Sequence, residues 1–107
     1  MSLAKETYKL VSKFPREEKF GIISQMKRAA VSVPANIAEG WSRNHTKKFI
    51  QFLYIAIGFL AELETFIGIS NNLGYVKNTE SSKYMDAEIG NTRKMIYAMI
   101  KSLSSRL

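Results

Sequence analysis

Apolar residues recur every three to four positions along four stretches of this chain, and each repeat predicts a helix. In the first stretch Leu3, Thr7, Leu10 and Phe14 align, with Tyr8 and Val11 beside them. Phe14-Pro15 closes it, because the proline ring pushes the preceding residue out of helical dihedrals. Pro15 then suits the first position of a second helix, where Glu17 and Glu18 meet the positive end of its dipole. Ile22, Met26, Ala29, Val33 and Ile37 carry that helix to Gly40, its expected stop.

The third stretch, from about Thr46 to Asn71, carries two stripes. Ile50, Leu53, Ile57, Leu60, Glu64 and Ile67 form one; Phe49, Phe52, Ala56, Phe59, Leu63 and Phe66 form the other. Together they make a face wider than one neighbouring helix covers. This helix is therefore expected to be central in the bundle, or buried on two sides with one against another subunit. Asn71-Asn72-Leu73-Gly74 supplies the turn that ends it. After a short polar loop, Met85, Ile89, Thr92, Ile96, Met99 and Leu103 predict a fourth helix. No strand pattern and no internal repeat interrupts this reading. Four helices with short connections predict an all-α, up-and-down antiparallel four-helix bundle.

Pro34 modifies the second helix. It cannot donate to the carbonyl of Ala30 and its ring crowds that carbonyl, so a kink is expected there. Ala29, Ala30, Ser32, Ala35 and Ala38 surround it, and small side chains let helices approach closely. Asn36 is expected to bind backbone groups that the proline frees. Glu39 stands four residues before Arg43, the favourable order for an ion pair along a helix. Glu64, set in an apolar stripe, is expected to pair with another helix or subunit, since a buried carboxylate needs a partner.

Length and charge add to this picture. A chain of 107 residues predicts one domain, 1–107. It has no cysteine, which excludes disulfides and thiolate chemistry and suits the cytoplasm. Met1 to Leu10 carries Lys5 and Lys9 and no apolar core, so no signal peptide is expected there. The nearly charge-free run Phe49 to Ala61 predicts no membrane span. The formal net charge is +7, and residues 1–60 hold ten basic and four acidic side chains against six and five in residues 61–107. An electropositive face built by the first half follows.

Enzymatic chemistry lacks its parts. The chain has one histidine, His45, and one aspartate, Asp86, and Ser42 occupies the position three before His45 where a di-iron Glu-x-x-His pair needs glutamate. No phosphate loop or metal-ligand spacing is present, so neither enzyme, cofactor nor metal is expected. The cations after Gly40 are more informative. Ser42, Asn44 and Thr46 are candidate N-caps for the third helix, which puts Lys47 and Lys48 in or near its first turn. The helix dipole disfavours cations there by a few tenths of a kcal/mol each. Arg43, His45, Lys47 and Lys48 with free backbone amides make an anion site suited to phosphate, and Lys27 and Arg28 add charge upstream. The alternative for the same residues is a solvated basic loop.

The run from Lys27 to Gly40, KRAAVSVPANIAEG, resembles the signature of the bacterial four-helix-bundle proteins of the 23S rRNA intervening-sequence family. FIQFLYIA (Phe49 to Ala56) and LAELET (Leu60 to Thr65) are similar to its second block, and Phe14-Pro15 and Phe20-Gly21 also fit. The likeness is close from about residue 8 to 76 and holds by pattern in the last helix. It implies a four-helix bundle assembled as a ring-shaped homopentamer. Some members are encoded within large-subunit rRNA genes, and relatives include a basic pentamer of diversity-generating retroelements that binds nucleic acid and a reverse transcriptase. It carries over no catalytic residue.

The expectation is a non-enzymatic oligomeric bundle that binds RNA or DNA through phosphate contacts at Lys27, Arg28, Arg43, His45, Lys47 and Lys48 with little sequence readout. Pro34, Asn36, Glu39, Phe52, Phe59 and Glu64 are assigned to packing and subunit contact. The alternative is a protein-interaction scaffold or accessory subunit, for example of a reverse transcriptase, whose charge serves solubility.

Overall fold

The computed structural model describes residues 3–76 and 80–107, with side chains from 82 onward in the second segment. Four α-helices follow one another: α1 (Leu3–Val11), α2 (Ile22–Ser42), α3 (Thr46–Asn72) and α4 (Glu80–Ser104), with a 3-10 turn at Arg16–Glu18. Among the described residues there is no strand. α2 packs on α1 and α3, and α4 packs on α3 and α1, which closes a four-helix bundle 47 Å long.

The core is a file of aliphatic side chains: Leu3, Met26, Leu53, Leu60, Leu63, Met85, Ile89 and Ile96 are fully buried. Two buried hydroxyls are satisfied within their own helices. Thr7 Oγ1 donates to the Leu3 carbonyl at 2.8 Å and Ser70 Oγ to that of Phe66 at 2.7 Å. Phe14 meets Tyr75 with ring centroids 5.5 Å apart, tying the α1–α2 connection to the end of α3.

The second helix starts later than its sequence suggests. Pro15 is extended (φ −56°, ψ 141°), and the chain then closes a tight turn in which the Glu18 amide donates to the Pro15 carbonyl. Gly21 (φ −103°, ψ −111°) leaves helical space before α2 begins at Ile22. Glu17 and Glu18 therefore belong to the 3-10 turn and not to the first turn of α2. Gly40 does not stop α2 either, since the helix continues to Ser42. The reversal falls instead on Asn44, at φ 53°, a left-handed conformation that asparagine tolerates better than most residues.

Within α2 the helix runs on through Pro34. Asn36 does bind a backbone carbonyl, but it is that of Ser32, at 2.7 Å, and not the Ala30 carbonyl that the proline leaves without its usual donor. An amide side chain at Asn36 reaches the carbonyl one turn below its own Cα, and Ala30 lies two residues further down.

On α3 the buried seam draws on both expected stripes: Leu53, Ala56, Leu60, Leu63, Ile67 and Ser70. Glu64 is one residue past this seam, so it sits at the helix edge with its side chain 54% exposed and accepts from Arg93 Nη2 of α4 at 2.8 Å. The expected pairing to another helix is present, and the expected burial is not. A second seam, Phe52, Ile55, Phe59, Glu62, Phe66 and Ile69, keeps the same spacing one residue earlier and is only half-buried or exposed.

By length and composition α3 is long and apolar enough to cross a membrane; a window of it has mean hydropathy 1.8, and 28% of that window is buried. The sequence reading ended the apolar run at Glu62, whereas the helix resumes its apolar surface beyond Glu64. α3 turns its buried seam to α2 and α4 and leaves most of that window half-buried or exposed.

Candidate nucleic-acid interface

The turn between α2 and α3 is built by side chains that cap and cross-link it. Arg43 places Nη2 2.6 Å and Nε 3.0 Å from Glu39 Oε1, the helical pair that the spacing predicts. Its guanidinium also lies 5.3 Å from the ring centroid of Phe52 on α3. Both partners of the ion pair are about half exposed, so the pair adds only a few tenths of a kcal/mol.

None of the three expected N-caps serves. Ser42 Oγ donates back to the Glu39 carbonyl at 2.8 Å, and Asn44 is taken by the left-handed turn. The cap is His45, in extended geometry (φ −147°, ψ 119°), whose Nδ1 accepts the Lys48 amide at 3.4 Å. That contact is long, and it requires Nδ1 to be unprotonated. Lys47 and Lys48 then fall in the first turn of α3, exposed, where the dipole disfavours them. His45→Asp supplies a stronger cap and an anion at the positive helix end. It is expected to raise stability by about 1 kcal/mol in urea unfolding while weakening binding of any polyanion at this turn.

The six expected contact cations do not form one patch. Arg43, His45, Lys47 and Lys48 gather at the α2–α3 turn. Lys27 stands roughly 24 Å away along α2. There its Nζ lies 4.8 Å over the Tyr8 ring of α1, while Arg28, the next residue, reaches the other way, 5.7 Å from the Phe59 ring of α3. Successive helical residues point about 100° apart, so the pair straddles α2. Lys27 instead joins Arg16 and Lys19 around a recess of about 310 Å³ between the ends of α1 and α2.

One cation at the α2–α3 turn escaped the sequence reading. Arg106, just past α4, lines a recess of about 220 Å³ with Trp41, Asn44, His45 and Thr46. The signal for it was topological: in an up-and-down bundle the last helix ends beside the turn between the second and third. Among the described residues Lys47, Lys48 and Arg106 have no ion-pair partner, and no group of three His, Asp or Glu side chains converges as a metal site would need.

Comparison with known proteins bears on the fold and on descent. No curated protein matches the chain. A crystal structure of a protein of unknown function of the S23 ribosomal protein family from Bacteroides thetaiotaomicron superposes with a TM-score of 0.80 at 22% identity. The match covers 94% of this chain and 93% of that one. At that identity the likeness speaks for the helical fold. Descent is carried by the family model for the 23S rRNA-intervening sequence protein, which matches residues 1–98, from α1 through most of α4. The chain belongs to the 23S rRNA-intervening sequence protein family.

Proposed function

We propose that this chain is a non-enzymatic, self-associating cytoplasmic bundle that binds RNA or DNA through phosphate contacts, largely without sequence readout and without metal or cofactor. The observation that carries the reading is the first turn of α3. Two exposed lysines sit there against the helix dipole, beside His45 and Arg106, with no carboxylate in ion-pair range of Lys47, Lys48 or Arg106 among the described residues. A fold that keeps cations where they cost stability gains an anion site at the open amides of that turn. Self-association is supported by the outer seam of α3, whose apolar side chains the protomer leaves half covered. Symmetry would then repeat the basic turn around the assembly and multiply its field. Five subunits is the assembly number proposed.

A salt titration of binding to mixed-sequence single-stranded and duplex oligonucleotides tests the reading. Log affinity is expected to fall steeply with log salt concentration, and Lys47→Ala with Lys48→Ala to flatten the slope by about 2 per binding turn. Arg43→Ala adds less, because Glu39 already offsets that charge. Undetectable binding at moderate salt, or a slope that ignores the two lysines, removes the reading and leaves the charge to solubility in a protein-binding scaffold.

A further inference from the structure

We propose that the cleft beside Trp41 receives an unstacked nucleobase, so that the bundle selects single-stranded over duplex nucleic acid. This deepens the nucleic-acid reading above and rests on it. Trp41 is the chain's only tryptophan, and on the last turn of α2 it is 74% exposed. It stands between two adjoining recesses. One, of about 540 Å³, is floored by Phe49, Met95, Met99 and Leu103. The other is the polar recess at Asn44, His45 and Thr46. Trp41, Phe49, Leu103 and Arg106 border both.

The two recesses differ in chemistry in the way that the two parts of a nucleotide differ. The apolar one offers an indole face and two polarizable thioethers to a flat aromatic group. Its volume lies within the range of about 300–1,000 Å³ typical of small-ligand sites. The polar one offers His45 and the opening of α3, and Arg106 stands on the shared border as the charge complement of a phosphate. The first amides of α3 make the polar side partially positive and draw the phosphate there. The base then lies against the apolar side, along α4. An acidic peptide would satisfy the cations and leave the tryptophan and methionine surface without an aromatic partner. A duplex holds its bases in the stack and delivers only phosphate.

Because there is one tryptophan, its emission reports on this cleft alone. The protein is titrated with oligodeoxythymidylate, oligouridylate, an abasic deoxyribose-phosphate oligomer of equal length and a duplex, and Trp41 emission is followed alongside the anisotropy of each labelled probe. Both base-bearing single strands are expected to quench Trp41, while the abasic strand and the duplex bind with little quenching. Trp41→Ala is expected to lower single-strand affinity about tenfold and leave duplex affinity unchanged, and Trp41→Phe to restore most of the loss. If all probes bind alike and Trp41→Ala changes none, the base site is overturned and phosphate binding stands. If nothing binds in the anisotropy arm, both readings fall. If Trp41→Ala instead changes the sedimenting species, the cleft belongs to a second copy of the chain, and the proposal is overturned.

Discussion

Gly40→Ala is expected to lower the stability of this protein by up to about 2 kcal/mol, although the same change inside a helix ordinarily raises it. A Cβ built at Gly40 would lie 2.7 Å from Phe52 Cβ, 3.0 Å from Phe49 Cδ1 and 3.3 Å from the Phe49 carbonyl oxygen. The first and last of these atoms are fixed by the α3 backbone, so rotating a side chain does not relieve the contact. The α2 and α3 axes must separate near their shared turn, which loosens packing along the most extensively packed helix pair. Overpacking of this kind costs about 1–3 kcal/mol, and the gain in helix propensity returns about 1. Gly40→Val adds bulk without the full propensity gain and is expected to cost more. Gly90→Ala is the control, because a Cβ there meets nothing within 4 Å, and it should stabilise by about 0.5–1 kcal/mol. Urea unfolding at one protein concentration reads all three. A Gly40→Ala variant as stable as Gly90→Ala would show that the close approach of α2 to α3 is not a constraint.

Gly40 also marks what the sequence could and could not reveal. Apolar spacing located four helices, because a buried face imposes its period directly on the residues that line it. The same spacing could not distinguish a glycine that ends a helix from one that lets a neighbouring helix come close, since both need the missing Cβ. At Pro15 the local rule for a helix start was met, yet Gly21 deferred α2 to Ile22 because the tight turn at Arg16–Glu18 used the same signals. The Glu39–Arg43 pair was legible because both partners lie on one helix at fixed spacing. Arg106 was not, because its proximity to His45 depends on where α4 ends in space. Lys27 and Arg28 were grouped with the turn by charge alone, and the length of α2 separates them from it. Glu64 was placed in the apolar stripe correctly by count and wrongly by angle. At 100° per residue, one step past Leu63 moves a side chain from the core seam to the edge facing Arg93.

Ile55→Glu combined with Ile69→Glu is expected to convert an assembled protein to monomers while leaving the bundle folded. Both isoleucines lie on the outer seam of α3 and are 45% and 43% exposed in the protomer. Neither is part of the buried seam, so replacing them should cost the isolated fold within about 1 kcal/mol. In an interface built on that seam, each carboxylate would be taken from water without a partner, a penalty of several kcal/mol per site repeated at every subunit contact. Sedimentation of the parent and the double variant, with circular dichroism to confirm helix content, reads the difference. A parent that is monomeric at micromolar concentration, or a variant that still assembles, removes the α3 interface. The length and apolarity of α3 also admit a bilayer as the cover for this seam, and vesicle flotation separates the two. Glu62 lies within this seam, half-buried, where a lipid surface would strand its carboxylate but an aqueous rim between subunits keeps it hydrated. The parent should therefore stay in the aqueous fraction as an oligomer, and its loss of assembly on adding two carboxylates should occur with no vesicle present.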